Sequence, residues 1–232
     1  MNPADLLKHV PDFTLWKEAQ DWIELGQEKI KELTSQNVLN VPFAYFDGNQ
    51  INELSQNPFG LYSSELWRKF VLAVFLADLV SYPKPSDRVN FERLLFVVHN
   101  FPQGFRTWWV QFNDFWWPVG YTGWYPMLET TYNLFKNSPE KLKDRLVVSN
   151  GCVDNHPYLY LFNYSVAAVF KKSDLTSQLM QKYVKDILAT QPAGLACITV
   201  SEDGVRVAEQ FELIYRGDLT FHGSVEGVYT TK

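Results

Sequence analysis

Cysteine is almost missing from this chain of 232 residues: there are two, Cys152 and Cys197. Two cysteines make no disulfide framework and fit a reducing compartment, so a cytoplasmic location is expected. Histidine is scarce as well, with four residues scattered along the chain, and neither type recurs at metal-ligand spacing, so no metal is expected. No apolar run is long enough to cross a bilayer. The longest, Phe70 to Val80, has eleven residues and contains Asp78. Met1 to Val10 carries Asp5 and Lys8 and has no apolar core, so no signal peptide is expected there. A basic excess is also missing. Lys and Arg total 21 against 26 Asp and Glu, a formal charge of −5, which argues against a nucleic-acid partner. No internal repeat or low-complexity segment is visible.

What the chain has in quantity is aromatic surface: 17 Phe, 12 Tyr and 8 Trp. With 46% apolar and 20% charged residues it is globular, with enough apolar area for a large core and for an aromatic-lined pocket. Phe13 to Gln36 predicts a helix, because Leu15, Trp16, Ala19, Trp22, Ile23, Gly26, Ile30 and Leu33 fall on one stripe. Asp12 or Thr14 is placed to cap its start. Val41 to Phe46 followed by Asp47-Gly48 predicts a short strand and a turn. Ser63-Ser64-Glu65 opens a second helix that ends near Ser81, before Pro83 and Pro85. Tyr82 to Arg88 is then a loop. It divides an expected helical part, residues 1–90, packed on the same domain, from a sheet-bearing domain over 91–232.

Beyond that loop the periodicity shortens. Leu94 to Val98 is a brief β-branched apolar run and opens the sheet part. Arg106 to Tyr125 predicts a β-hairpin turning at Asn113-Asp114. Its Trp108, Trp109, Trp116, Trp117, Trp124 and Tyr125 point alternately to two faces, one of them core and the other either covered or a binding surface. Pro139-Glu140 suits a helix start. Tyr158 to Phe170 reads as a buried strand and Ser173 to Thr190 as an amphipathic helix. Gly194 to Val200 is a second strand, Ser201 to Gly204 a turn or cap, and Val205 to Glu212 a short helix. Leu213 to Tyr215 and Gly227 to Thr231 are closing strands. The class is α/β (α+β), with a mixed central sheet flanked by helices and an N-terminal helical elaboration.

That order of elements resembles the C-terminal half of the GNAT acyltransferase superfamily, over Arg106 to Lys232. In that family a central strand enters a loop of the form V-x-P-x-x-R-G-x-G-I-G-x-x-L, and a helix starts inside it. The matching stretch here is V-A-A-V-F-K-K-S-D-L-T-S-Q-L, Val166 to Leu179. FWWPVGYTGWYPM, ITVSEDG and GVRVAEQFELIYRG resemble the family's neighbouring strands and short helix. The resemblance implies acetyl-CoA or another acyl-CoA as co-substrate, transfer to a small-molecule or peptide amine acceptor, and no membrane span. It implies Val166 and Ala168 as strand positions beside the pantetheine arm. It further implies Lys171, Lys172, Ser173, Asp174, Thr176 and Ser177 as the pyrophosphate loop, where glycine N–H groups and a helix N-terminus ordinarily meet the phosphates.

In this chain Lys172, Asp174 and Thr176 stand at the three glycine positions, and Asp174 brings a negative charge. Two readings stay open: a loop that still binds coenzyme A, or Ser173 and Asp174 as caps of a helix in a domain that binds something else. The family's usual carboxylate position on the central strand is Tyr160, and its usual acid position is Ala208. Tyr164, Tyr215, Glu129 and His99 join Tyr160 as candidate catalytic residues. Cys152 and His156, four apart, form a weaker nucleophile–base pair with no third group to orient them.

Overall fold

The computed structural model describes residues 3–13, 16–33, 41–48, 50, 64–82, 84–142, 157–171, 173–221 and 223–232. In chain order the elements are α1 (Pro3–Leu7), α2 (Trp16–Glu32), β1 (Phe43–Asp47), α3 (Ser64–Ser81), α4 (Phe91–Asn100), β2 (Phe105–Phe112) and β3 (Phe115–Met127). Then follow α5 (Glu129–Asn137), β4 (Tyr158–Val166), α6 (Asp174–Ala189), β5 (Gly194–Thr199), α7 (Glu202–Gln210), β6 (Ile214–Phe221) and β7 (Ser224–Thr230). The strands form one mixed sheet of seven in the order β1-β2-β3-β4-β5-β7-β6, parallel between β4 and β5.

Several elements follow from local chemistry. Asn113 and Asp114 take φ of 52° and 63°, the left-handed pair that a two-residue hairpin turn requires, and both residue types tolerate it. The six aromatic residues of that hairpin are all buried, so both of its faces are core. Leu94 to Val98 is helical, not the opening of the sheet. The Asn90 side chain accepts from the Arg93 N–H at 2.8 Å and caps α4, which buries Leu94, Val97 and Val98 at helical spacing. Ser201 likewise accepts from the Gly204 N–H and starts α7 at Glu202, three residues before the expected start. Helix also begins earlier after β3, at Glu129, leaving Pro139–Lys141 as a single 3₁₀ turn. β4 stops at Val166, short of Phe170, and the closing strands run longer than expected.

The chain divides into two compact units. One comprises Met1–Thr122 and Ser165–Gln178, the other Gly123–Tyr164 and Leu179–Lys232. In the first unit α3 runs through the core, with Phe70 to Val74 fully buried. α2 lays Ala19, Trp22, Ile23, Gly26 and Ile30 inward, as the stripe predicts. Trp16 leaves the stripe and is 42% exposed, resting on Phe75 and Phe91.

Asp78 is the polar exception in α3. It is fully buried, and both carboxylate oxygens are bonded: Oδ1 accepts from the Tyr121 hydroxyl at 2.7 Å and Oδ2 from the Val89 N–H at 3.1 Å. Burial nonetheless dominates and pushes its carboxyl from the ordinary 3.8 up to about 7. A raised carboxyl pKa means that the folded state holds the proton more tightly than the unfolded chain. Stability therefore falls as pH rises from about 4 to about 7, and is level above that. Asp78→Asn removes the titration; its amide oxygen can accept from the Val89 N–H while its NH2 donates to the Tyr121 hydroxyl oxygen. The variant is expected to be more stable than the parent at pH 8 by over about 1 kcal/mol, with a flat profile between pH 4 and 7. Urea unfolding across that range measures both, and parallel profiles for the two proteins would count against the assignment.

Candidate functional site

In the second unit β4 and β5 begin as an ordinary parallel pair. Tyr158 faces Gly194, Leu159 faces Leu195 and Tyr160 faces Ala196. The Ala193 N–H donates to the Pro157 carbonyl at 2.7 Å just before them. This end is packed tightly. Tyr132 of α5 stacks on Tyr158 at 4.6 Å, and a Cβ on Gly194 would come within 2.8 Å of the Tyr132 ring. Only glycine fits there.

The ladder then ends, although β4 runs on to Val166 and β5 to Thr199. β5 stays with its other neighbour, pairing Cys197 with Tyr229, Ile198 with Val228 and Thr199 with Gly227. The two strands thus part in mid-sheet. Leu161 to Tyr164 border the opening on one side, and Cys197 to Thr199 on the other. Its buried polar side chains are few: Asn163, Thr199 and the Cys197 thiol. Two main-chain edges with little charge beside them suit an extended, neutral ligand that carries amides of its own.

In the first unit the chain leaves β4 through a loop. The Ala167 N–H donates to Val119 of β3 at 2.7 Å, and Gly120 beside it allows a close approach, since a Cβ there would lie 2.7 Å from the Ser165 carbonyl. Ala168, expected on the strand with Val166, instead opens a 3₁₀ turn, Ala168–Phe170. α6 then starts at Asp174, which is exposed, as is Ser177 in the same turn. The Phe170 carbonyl is the centre of this loop. It accepts from the Ser173 N–H at 3.0 Å, the Ser173 hydroxyl at 2.7 Å and the Thr176 hydroxyl at 2.6 Å. The N–H groups of Phe170, Lys171 and Thr176 donate to the carbonyls of Ala167, Ala168 and Ser173. Lys171 is exposed, and Lys172 lies outside the described residues.

No family model matches the sequence, and no curated protein matches it. Solved structures do match in fold. The loading GNATL domain of CurA from Lyngbya majuscula superposes with a TM-score of 0.54 at 9% identity, over 83% of this chain and 98% of that one. The GphF GNAT-like decarboxylase, in complex with isobutyryl-CoA, gives 0.50 at 11% identity, over 82% and 97%. The chain has the GNAT fold.

Within the GNAT fold the candidate catalytic residues are dispersed. Tyr160 is buried among Tyr125, Phe135 and Phe162, so its ring is core. Tyr164 borders the opening, stacks on Tyr183 of α6 at 6.0 Å, and is pushed up to about 12 by burial. Tyr215 is half exposed and donates to Asp218 at 2.6 Å, a bond that raises its pKa. Glu129 accepts from the Tyr158 hydroxyl at 3.3 Å, and His99 meets the Trp67 ring. Ala208 is buried in α7 and offers no acid. Cys197, which sequence spacing did not single out as part of a site, stands at the opening, and burial pushes its thiol up to about 12. Cys152 and His156 lie outside the described residues. Among the described residues no group of three His, Cys, Asp or Glu is placed to hold a metal ion.

The loop geometry is testable by itself. Thr176→Val keeps shape and removes one donor to Phe170, and is expected to lower stability by about 1 kcal/mol. Denaturant unfolding measures it, and an unchanged midpoint would mean that the hydroxyl contributes nothing to the loop.

Proposed function

We propose that the protein is an acyltransferase that takes an acyl group from acetyl-CoA or another acyl-CoA and passes it to an amine by direct attack. The observation that carries this reading is the ladder between β4 and β5, which ends after three pairs and leaves an opening bordered by main chain. A pantetheine arm is an extended chain with two amides, so it can bond along such an edge much as a strand would. The complex of GphF with isobutyryl-CoA supports acyl-CoA as the kind of ligand this fold receives.

The chemistry asked of the protein is limited. The amine nitrogen attacks the thioester carbonyl and forms the C–N bond, the C–S bond breaks, the nitrogen's proton passes to water, and the sulfur leaves as a thiol with a proton from a side-chain donor that solvent then reprotonates. Holding the acceptor and the thioester together supplies much of the rate. Tyr164 borders the opening and, as a tyrosine, carries its proton at neutral pH, so it is the donor we assign to the departing sulfur. Burial holds Cys197 as a neutral thiol, which is a poor nucleophile. The acceptor, a small molecule or a peptide, is left to experiment.

A second reading, a non-catalytic binding protein on the same fold, is favoured by one observation: the described residues bordering the opening, Leu161 to Tyr164 and Cys197 to Thr199, include no carboxylate or imidazole to serve as base. Isothermal titration with acetyl-CoA, together with thiol release in the presence of a panel of primary amines, separates the two. Binding with turnover supports the transferase, and binding without turnover the second reading. No binding at millimolar concentration removes the transferase and favours a binding protein with a different ligand.

Two variants sharpen the first reading. Tyr164→Phe is expected to lower kcat about tenfold or more with little change in the Kd of acetyl-CoA. Cys197→Ala is expected to keep turnover within about threefold. A loss above a hundredfold in a folded Cys197→Ala protein would point to an acyl-cysteine intermediate instead.

A further inference from the structure

The loop after β4 stands where the family resemblance puts the phosphates, yet four of its described N–H groups and both of its described hydroxyls are turned inward. The N–H groups of Phe170, Lys171, Ser173 and Thr176 each bond to the carbonyl three residues back. The hydroxyls of Ser173 and Thr176 both donate to the Phe170 carbonyl. The backbone explains why. Lys171 sits at φ −55° and ψ −24°, and no described residue from 167 to 178 has a positive φ. A nest of outward N–H groups forms readily where left-handed residues alternate with right-handed ones. A run of right-handed turns points its N–H groups along the chain instead. Asp174 then adds a carboxylate to the first turn of α6, the end where a helix would otherwise favour an anion.

The opening between β4 and β5, in contrast, lies within the second unit, and the groups it offers are main-chain edges and the neutral polar side chains of Asn163, Tyr164, Cys197 and Thr199. We infer that this protein recognises its donor through the pantetheine arm and the acyl group, and that the nucleotide diphosphate contributes almost nothing. The donor class is therefore wider than acyl-CoA and includes pantetheine thioesters with no adenine nucleotide. This inference rests on the reading that the opening binds an acyl thioester.

Isothermal titration of the full chain with acetyl-CoA, S-acetylpantetheine and adenosine 3′,5′-bisphosphate tests it. S-acetylpantetheine is expected to bind within about fivefold of acetyl-CoA, and the bisphosphate not to compete with either. If acetyl-CoA binds and S-acetylpantetheine is weaker by more than that, the inference is overturned while the proposed function stands. If neither thioester binds, both are withdrawn. Asp174→Asn gives an independent check on a protein expected to fold. The Kd of acetyl-CoA should not change, and tightening of fivefold or more would show a phosphate beside that carboxylate and overturn the inference.

Discussion

Everything proposed for this protein depends on two strands that begin together and do not stay together. β4 and β5 are clamped at their amino ends by three pairs and by a glycine set under a tyrosine ring, where a methyl group would not fit. Beyond Ala196 β5 remains with β7 by register, and β4 has β3 as its other neighbour in the sheet. A sheet that opens in its middle gives up backbone bonds that a closed sheet would keep, which costs free energy unless water or a ligand meets those edges.

Asp78 shows the same economy in the first unit. A carboxylate inside the most apolar helix is held by a tyrosine on β3 and by an amide N–H just before α4, so one side chain ties three separated stretches of chain. Burial outweighs those two bonds, which is why the carboxyl titrates near neutrality instead of in the acid range. Leucine would fill that place more simply. The aspartate instead specifies which tyrosine and which loop pack there, because only polar partners in the right positions satisfy it.

Much of the architecture was legible from periodicity and turn chemistry. The helix stripe on α2, the Asn-Asp hairpin and the strand–helix–strand run from Tyr158 to Thr199 each carry a signal that no tertiary contact needs to supply. Leu94 to Val98 misled because β-branched residues favour strands only when packing permits. The deciding signal was Asn90, a cap four residues upstream of the run. Trp16 misled in the opposite way, by sitting on an apolar stripe at the helix start where its ring finds only a half-covered surface. The opening itself left no mark in the sequence. Whether two buried strands stay paired for three residues or six depends on their outer neighbours and on what packs across them, and alternation along one strand encodes neither.

The loop was legible in part, and the part that was missed is the instructive one. Lysine, aspartate and threonine in place of three glycines say that positive φ is disfavoured, but not what the chain does in its stead. The structure supplies the consequence. Residues with a Cβ fall into right-handed turns, and these turn the N–H groups back on the chain. The hydroxyl introduced with Thr176 then joins Ser173 on one carbonyl, and that bond reinforces the turn. The described part of the loop is therefore a self-bonded surface, with the Ser173 and Thr176 hydroxyls and four N–H groups committed to main-chain carbonyls. The opening beside β4 draws instead on strand divergence, which needs no glycine in the loop, so the two features are set by different residues and a change in one need not alter the other.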